Sequence, residues 1–253
     1  MKQKEYALVK QISMEDHVYQ QESVASLFDH MSKTYGIANY MCSFGFIERW
    51  RHACIQYLPT KSLQGHGVDL MSGGGELWDS IAKKMTDQGS LTAIDLSNEM
   101  NQKAIQNKQK HKFPIQLLDE DVLNPQLIKP NSLEFIVSSF GLKTFSIDQQ
   151  QQLASNINRW LKPGGSFSFI EMTTPTSRLL KFLYMFYLRY VISFGGWLFT
   201  GDKSSYSMLG KYILLFGQGD HFLQALQKEG LVLTKHRLFF GCATCYSGYK
   251  KDL

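Results

Sequence analysis

Short apolar runs alternate with longer polar segments through the middle of the chain. The runs have the length of buried strands, and the segments between them have the length of helices. The runs are GVDLM at 67–71, LTAID at 91–95, FPIQLL at 113–118, LEFIVSS at 133–139 and SFSFIEM at 166–172. Helices are predicted at 76–88, 98–109 and 149–161. This alternation predicts an α/β fold, in which a parallel sheet carries helices on both faces and binds its ligand at the carboxyl ends of the strands.

Three further segments complete the predicted organisation. Apolar positions at helical spacing over 17–58, ended by Pro59, predict a helical N-terminal cap. An irregular segment at 172–218 interrupts the alternation and predicts an inserted lid. A helix at 219–229 and two strand-like runs, LVLTKHRLFF and ATCYSGYK, predict an antiparallel pair at the sheet edge. We therefore assign residues 1–66 to the cap and 67–253 to a ligand-binding domain that contains the lid.

The amino-acid composition limits which classes of protein this chain can belong to. The chain has 253 residues, of which 43% are hydrophobic and 19% charged, and this is typical of a globular protein. Its net charge of +5 is too small and too scattered for a nucleic-acid site, although a mild attraction to anionic membranes stays open. Four cysteines without a recognisable signal peptide predict a reducing, cytoplasmic compartment. The most apolar stretch contains Lys181 and Arg189, so no membrane-spanning helix is expected.

Cys242 and Cys245 form a lone CxxC pair, and no second pair accompanies it. A tetrahedral metal site needs four ligands, and a three-residue step along a strand directs the two thiols to opposite faces. The seven histidines show no HExxH spacing. We therefore predict packed thiols and no metal.

A glycine-rich turn, SGGG at 72–75, follows the first predicted strand and precedes a helix. Such a turn lets backbone amides approach a ligand, although many glycine turns only reverse the chain. Asp95 ends the second strand, where a carboxylate can accept hydrogen bonds from both hydroxyls of a ribose. The two features predict a cofactor of the adenosine type. NAD is the weaker alternative, because the third glycine of a dinucleotide site would fall at or beside the bulky Trp78.

With a third motif, LKPGG at 161–165, these features resemble the class I S-adenosylmethionine-dependent methyltransferases, which have a Rossmann-like fold with a seven-stranded, mostly parallel sheet. From Val24 onward the chain is similar to the UbiE/COQ5 (ubiquinone/menaquinone C-methyltransferase) family. The motifs that carry this resemblance are VASLFDHMSKTYGIANYMCSFGFIERWRH, VDLMSGGGEL, AIDLSNEM, SSFGL at 138–142, EMTTP at 171–175 and SSYSMLGKYI at 204–213. The resemblance implies S-adenosylmethionine as the cofactor.

The resemblance also implies a set of cofactor-binding residues. By motif match these are Asp69, Gly73, Gly75, Asp95, Asp121, Val122 and Ser139. The glycine loop would contact the methionine part of the cofactor, the second-strand carboxylate its ribose, and the acid with the small residue after it would bracket the adenine. The sequence LLDEDVLNP leaves Asp119 open as an alternative to Asp121. Ser139 would lie near the reacting sulfonium.

The acceptor side departs from the family pattern. Relatives have Arg-Asn after the SFGL or SFGI of this loop, whereas this chain has Lys143-Thr144. The Tyr-Arg pair of the family becomes Tyr206-Ser207. A lysine does not replace the planar fork of an arginine, so the base is in question. We expect Lys143 at the mouth of the cofactor pocket as the candidate proton-handling residue, with Tyr206 or an ordered water next.

The resemblance implies methyl transfer to a lipophilic, aromatic or quinol-like small molecule, with C-methylation favoured and a place in quinone biosynthesis. An O- or C-methyltransferase of a specialised pathway and a non-catalytic prenyl-lipid or cofactor-binding protein are the alternatives. Aromatic side chains of the lid predict a packed core, a pocket for an apolar acceptor, or both, and a peripheral contact with membranes. They are Phe182, Tyr184, Phe186, Tyr187, Tyr190, Phe194, Trp197 and Phe199. A homodimer stays open.

Overall fold

A seven-stranded sheet forms the centre of the computed structural model, which describes residues 19–86, 88–192, 194 and 203–252. The strands are β1 (His66–Leu70), β2 (Ser90–Asp95), β3 (Ile115–Asp119), β4 (Leu133–Ser139), β5 (Leu161–Met172), β6 (Val232–Leu238) and β7 (Ala243–Tyr249). Their order is β3-β2-β1-β4-β5-β7-β6. The first five are parallel, and β7 is antiparallel to both β5 and β6. The predicted α/β fold with an antiparallel edge is confirmed.

Helices lie before, between and after the strands. The cap consists of α1 (Gln21–Met31), α2 (Tyr35–Cys42) and α3 (Ile47–Gln56). The helices between strands are α4 (Trp78–Ala82), α5 (Asn98–Lys108) and α6 (Ile147–Trp160). The lid contains α7 (Arg178–Phe186), a π-helical turn (Tyr187–Ile192) and α8 (Lys203–Phe216), and α9 (Asp220–Lys228) follows it.

The helix predicted at 76–88 is shorter than expected. Glycines 73 and 75 adopt positive φ angles of 56° and 81°, so the helix begins only at Trp78. Beyond its end, the Lys84 ammonium donates to the carbonyls of Ile55, Gln56 and Leu58 at 3.1–3.2 Å. These carbonyls lie at or just beyond the C-terminal end of α3, where a cation is stabilising. The glycine loop and this contact together reduce the helix to five residues.

Three apolar clusters hold the layers together. One packs α6 and α9 against one face of the sheet, and another packs α4 and part of α3 against the other face. The third joins cap, lid and sheet, and its members include Trp50, Phe140, Tyr184 and Tyr206. Cap and lid therefore share a core above the carboxyl ends of the strands.

Hydrogen bonds also attach the cap to α5. Asp29 of α1 accepts hydrogen bonds from the Ser97 hydroxyl at 2.6 Å and from the Glu99 amide at 3.2 Å. Ser97 is the N-cap of α5, and its hydroxyl also accepts from the Met100 amide. The Lys103 ammonium donates to the Ser32 carbonyl. The cap is thus fixed next to the chain segment that follows β2.

The lid aromatics divide into buried and exposed residues. Tyr184 is buried and Tyr187 partly buried, so both contribute to the shared core. Phe182, Phe186, Tyr190 and Phe194 are exposed, which neither a packed lid core nor an internal acceptor pocket explains. Trp197 and Phe199 lie outside the described residues. Within the described part of the chain, no helix has the length and apolar character that a membrane span requires.

Candidate cofactor and acceptor site

A crevice of about 710 Å³, including its open mouth, lies at the carboxyl ends of β1–β4. The chain segments at the ends of all four strands line it. They contribute Met71 and Gly73 after β1, Asp95–Ser97 at the end of β2, Asp121 and Val122 after β3, and Ser139–Gly141 at the end of β4. The cap covers it with Tyr19, Gln21, Val24, Ala25, Phe28 and Tyr35. The chain reverses its strand order between β1 and β4, and ligands of open α/β sheets bind at such a point.

Asp95 holds the glycine loop in place. One of its carboxylate oxygens accepts from the Gly73 amide at 2.8 Å, and the other accepts from the Ser97 amide at 2.9 Å. A side chain at Gly75 would place its Cβ 2.5 Å from the Trp78 ring. The loop therefore needs glycine at position 75 for close packing as well as for its positive φ.

Carboxylates surround the glycine loop. Burial raises the pKa of Asp95 to about 6, against the opposing effect of the Ser97 and Gly73 amides. Burial likewise raises the pKa of Asp69 well above its usual value, and the Trp78 indole N–H, 3.0 Å away, acts in the opposite direction. Glu76 adds negative charge near both groups. Such a site favours a cationic ligand.

The residues present fit S-adenosylmethionine, which carries a sulfonium and an ammonium group. The second Asp69 oxygen, Oδ1, and the Ser72 hydroxyl are buried and have no hydrogen-bond partner within the described chain. A buried polar group without a partner is unfavourable, so both atoms have unused hydrogen-bonding capacity at the glycine loop, although neither residue lines the crevice itself. The carboxylates of Glu76 and Asp95, which lie at the glycine loop, complement the two cationic groups.

The predicted cofactor residues divide into two groups. Gly73, Asp95, Asp121, Val122 and Ser139 line the crevice. Asp69 and Gly75 lie behind its wall and support the loop.

Two aspartates were candidates for the adenine contact, Asp119 at the end of β3 and Asp121 after it, and only Asp121 lies at the crevice. Asp121 lines it, and its carboxylate accepts from the Leu123 amide at 2.9 Å and from the Asn124 side chain at 3.0 Å. Asp119 is exposed at the end of β3, paired in register with Asp95, and does not line the crevice.

The expected position of Lys143 at the crevice mouth is not observed. Its ammonium lies 3.1 Å from Glu171 Oε1 and also donates to the Phe140 carbonyl, and the side chain is buried. Glu171 is fully buried on β5, where it accepts hydrogen bonds from Lys143 and from the Met172 amide and does not line the crevice. Tyr206 is buried in the cluster shared by cap and lid and does not line the crevice.

Two features of the site were absent from the sequence-based prediction. Glu76 follows the glycine loop at the start of the predicted helix 76–88, and its carboxylate lies over Gly73. The cap supplies Tyr35, whose pKa is raised by burial and by the charge of Glu76, so that its phenol stays protonated and able to donate. Helical spacing identified the apolar face of the cap but not the surface that this face covers.

Among the described residues, no group of three or more His, Cys, Asp or Glu side chains is arranged to hold a metal ion. Cys242 and Cys245 are buried free thiols.

The sheet order, the glycine loop and the carboxylates define an S-adenosylmethionine-dependent methyltransferase. In fold, the chain is similar to such a methyltransferase from Clostridium acetobutylicum, with a TM-score of 0.59 and 14% sequence identity over 87% of this chain and 98% of that one.

A sequence model of the ubiE/COQ5 methyltransferase family matches residues 16–250, and the chain belongs to this family. The chain is 27% identical to the ubiquinone/menaquinone biosynthesis C-methyltransferase UbiE of Rickettsia akari, over 93% of this chain and 95% of the relative. It is 31% identical to the protein of the same name from Geotalea daltonii, over 90% and 97% of the two chains. The predictions of the family, of the enzyme class and of S-adenosylmethionine as the cofactor are confirmed.

Proposed function

We propose that the protein transfers the methyl group of S-adenosylmethionine to a ring carbon of a lipophilic, quinol-like acceptor. The crevice carries this proposal, because its lining combines two carboxylates, Asp95 and Asp121, with apolar side chains of the cap. Val24, Ala25 and Phe28 of the cap are among the apolar lining residues, together with Phe145. The relatives named above are called C-methyltransferases of ubiquinone and menaquinone biosynthesis, which supports a quinol as the acceptor.

The proposed cofactor contacts follow from the residues that line the crevice. Asp95 would accept hydrogen bonds from the ribose hydroxyls, and Asp121 with Val122 would bracket the adenine. The loop of Gly73 and Gly75, supported by Asp69, would hold the methionine part. Ser139 would lie beside the sulfonium.

Positioning supplies most of the catalysis in this proposal. The cofactor supplies a methyl group on a positively charged sulfur, so the protein must hold the acceptor carbon in line and about 3 Å away. As the new C–C bond forms and the S–CH3 bond breaks, the ring carbon must lose its proton. Tyr35, Thr144 and Gln149 are polar groups that line the crevice and can orient the acceptor or a water that takes this proton.

Lys143 has a different role in this proposal from the general base suggested by its sequence position. Its ammonium is directed to Glu171 and Phe140, so it acts on the acceptor only through the loop that it holds. We infer that Lys143 is a positioning residue. Tyr206 would stabilise the contact between cap and lid.

A second candidate function is O- or C-methylation of a non-quinone acceptor. The crevice lining contains no Lys, Arg or His among the residues described, so this surface offers no cation to stabilise a phenolate. That composition favours methylation of such an acceptor at carbon over methylation at oxygen, since O-methylation needs the phenolate as its nucleophile.

Incubation with isotopically labelled S-adenosylmethionine tests the proposal. The purified protein is given a desmethyl quinol with a short prenyl tail, and in parallel a lipid extract, and the products are analysed by mass spectrometry and NMR. We expect one added methyl on a ring carbon. A methyl ether would support the second candidate, and no methylated product from either source would contradict both.

A further inference from the structure

The first helical segment of the lid, α7 with the π-helical turn that follows it, is apolar on two opposite faces. The described part of the protein covers only one of these faces. Its inward face, at a spacing of four residues, consists of Tyr184, Leu188 and Ile192, which are 1–3% exposed. Its outward face consists of Phe182, Phe186 and Tyr190, at the same spacing, and these are 51–67% exposed. A helix that is apolar all round is normally buried on all sides. The outward residues, which we call the lid face, therefore lack the cover that their composition requires.

An aromatic cluster from two distant segments packs against Tyr187 of the lid. Phe44, at the turn between α2 and α3, stacks on Tyr187 with 4.7 Å between ring centroids and is 42% exposed. Phe239, between β6 and β7, lies 5.7 Å from Phe44, and its neighbour Phe240 is 74% exposed. A series of ring contacts thus runs from Tyr187 of the lid through Phe44 and Phe239 to the exposed Phe240.

The backbone holds these additional aromatics in an unfavourable conformation. Phe44, Phe239 and Phe240 have φ angles of 53°, 44° and 55°. Positive φ is strained for a bulky residue and persists only where the surrounding structure fixes it. The fold therefore accepts strain at the positions of these three phenylalanines.

The charge around the lid face has one sign. No Asp or Glu occurs between Glu171 and Asp202, whereas the exposed Arg178, Lys181 and Arg189 lie within this interval. Aromatic side chains with flanking Lys and Arg are typical of helices that bind in the plane of a membrane interface, where the cations meet anionic headgroups. A second copy of the chain would bring the same cations face to face and be repelled.

We propose that the lid face, with Phe44 and Phe240, docks on an anionic phospholipid bilayer. The proposal deepens the proposed function, since a lipophilic acceptor is dissolved in such a bilayer. The docking itself requires no acceptor. Lipid binding and methyl transfer can therefore be tested independently.

Vesicle co-sedimentation of the full chain is the test. Vesicles of phosphatidylcholine are compared with vesicles that also contain phosphatidylglycerol, at low and at high salt. We expect binding to the anionic vesicles that weakens as salt is added. Phe182→Ser with Phe186→Ser should lower the partition coefficient by about tenfold or more, since each phenylalanine loses its burial in the interface.

Matched variants separate lipid contact from a general loss of apolar surface. Ile105→Ser with Leu127→Ser removes two side chains, 46% and 56% exposed, that lie on α5 and after β3. This control should bind vesicles as the wild type does. Replacing Arg178, Lys181 and Arg189 by Gln should abolish the preference for anionic vesicles. S-Adenosylmethionine binding verifies that each variant is folded.

Two results would overturn the docking proposal. One is vesicle binding that is the same in wild type and in the Phe182/Phe186 variant. The other is a dimer in sedimentation equilibrium that dissociates on those substitutions, with no vesicle binding, which would make the lid face an interface between copies. Vesicle binding without methylation of a detergent-dispersed quinol would instead contradict the proposed function and leave the docking intact.

Discussion

Lys143 and Glu171 form a buried ion pair beneath the loop that follows β4. The ammonium lies 3.1 Å from Glu171 Oε1, and the Lys143 amide donates to Oε2 at 3.0 Å. The same loop contains Phe140, which lines the crevice with a φ of 64°. Because Glu171 belongs to β5, an interior strand paired with both β4 and β7, the pair ties the shape of the crevice wall to the sheet.

Removing one partner of this pair should destabilise the fold. We expect Lys143→Met to lower the free energy of unfolding by about 3–5 kcal/mol, because Glu171 is left as an unpaired buried charge. The double variant Lys143→Met with Glu171→Met should recover most of this loss. Urea denaturation measures both. A stable Lys143→Met protein with normal cofactor affinity and a lower kcat would instead assign Lys143 to the chemistry.

Asp95 should contribute strongly to cofactor affinity. We expect Asp95→Ala to weaken S-adenosylmethionine binding by about 1–3 kcal/mol, the range for hydrogen bonds to a charged group. Asp119→Ala is the matched control, since Asp119 lies beside Asp95 in the register but outside the crevice. Isothermal titration calorimetry measures both affinities. Equal losses in the two variants would contradict the assignment of the ribose to Asp95.

Cofactor affinity should depend on pH through the same carboxylate. Burial raises the pKa of Asp95 to about 6, and the ribose hydroxyls donate to the ionised form. The affinity for S-adenosylmethionine should therefore be highest above this pH. It should fall as the pH decreases through this value, by up to about tenfold per pH unit. Asp95→Asn should bind more weakly and show a flatter profile. A wild-type profile that stays flat down to about pH 5 would show that Asp95 does not titrate in this range.

Sequence patterns predicted the sheet and the cofactor side but not the acceptor side. Strand ends and glycine turns are local signals, so Gly73 and Asp95 could be placed at one edge, whereas Asp121 and Ser139 followed from the family resemblance. The position of Lys143 depends on Glu171, which is 28 residues further along the chain, and such a pairing leaves no local signal. The cap could not be placed over the crevice for the same reason, since helical spacing identifies an apolar face but not its partner.

The contact between Asp29 and Ser97 should control the order of the cap. Asp29→Ala removes acceptors for the Ser97 hydroxyl and the Glu99 amide, so α1 should exchange its amide hydrogens faster while the central strands do not change. The free energy of local opening of α1 should fall by about 1–3 kcal/mol, the range for hydrogen bonds to a charged group. Glu22→Ala, at an exposed position of the same helix, is the control. Hydrogen exchange with mass spectrometry measures the exchange of α1 in both variants. Equal effects of the two substitutions would show that Asp29 does not attach the cap to α5.

Alanine variants at Gly75 and Gly230 distinguish the effect of backbone strain from the effect of a steric clash. Their φ angles, 81° and 79°, are nearly equal, so alanine at either position should destabilise the fold by about 1–2 kcal/mol through its left-handed conformation. A Cβ at position 230 would meet no atom within 4 Å, whereas a Cβ at position 75 would lie 2.5 Å from the Trp78 ring. Because Trp78 is fully buried and donates to Asp69, Gly75→Ala should destabilise the fold by a further 1–3 kcal/mol or so and weaken S-adenosylmethionine binding. Thermal unfolding with and without the cofactor measures the difference, and equal behaviour of the two variants would show that the glycine loop tolerates a side chain.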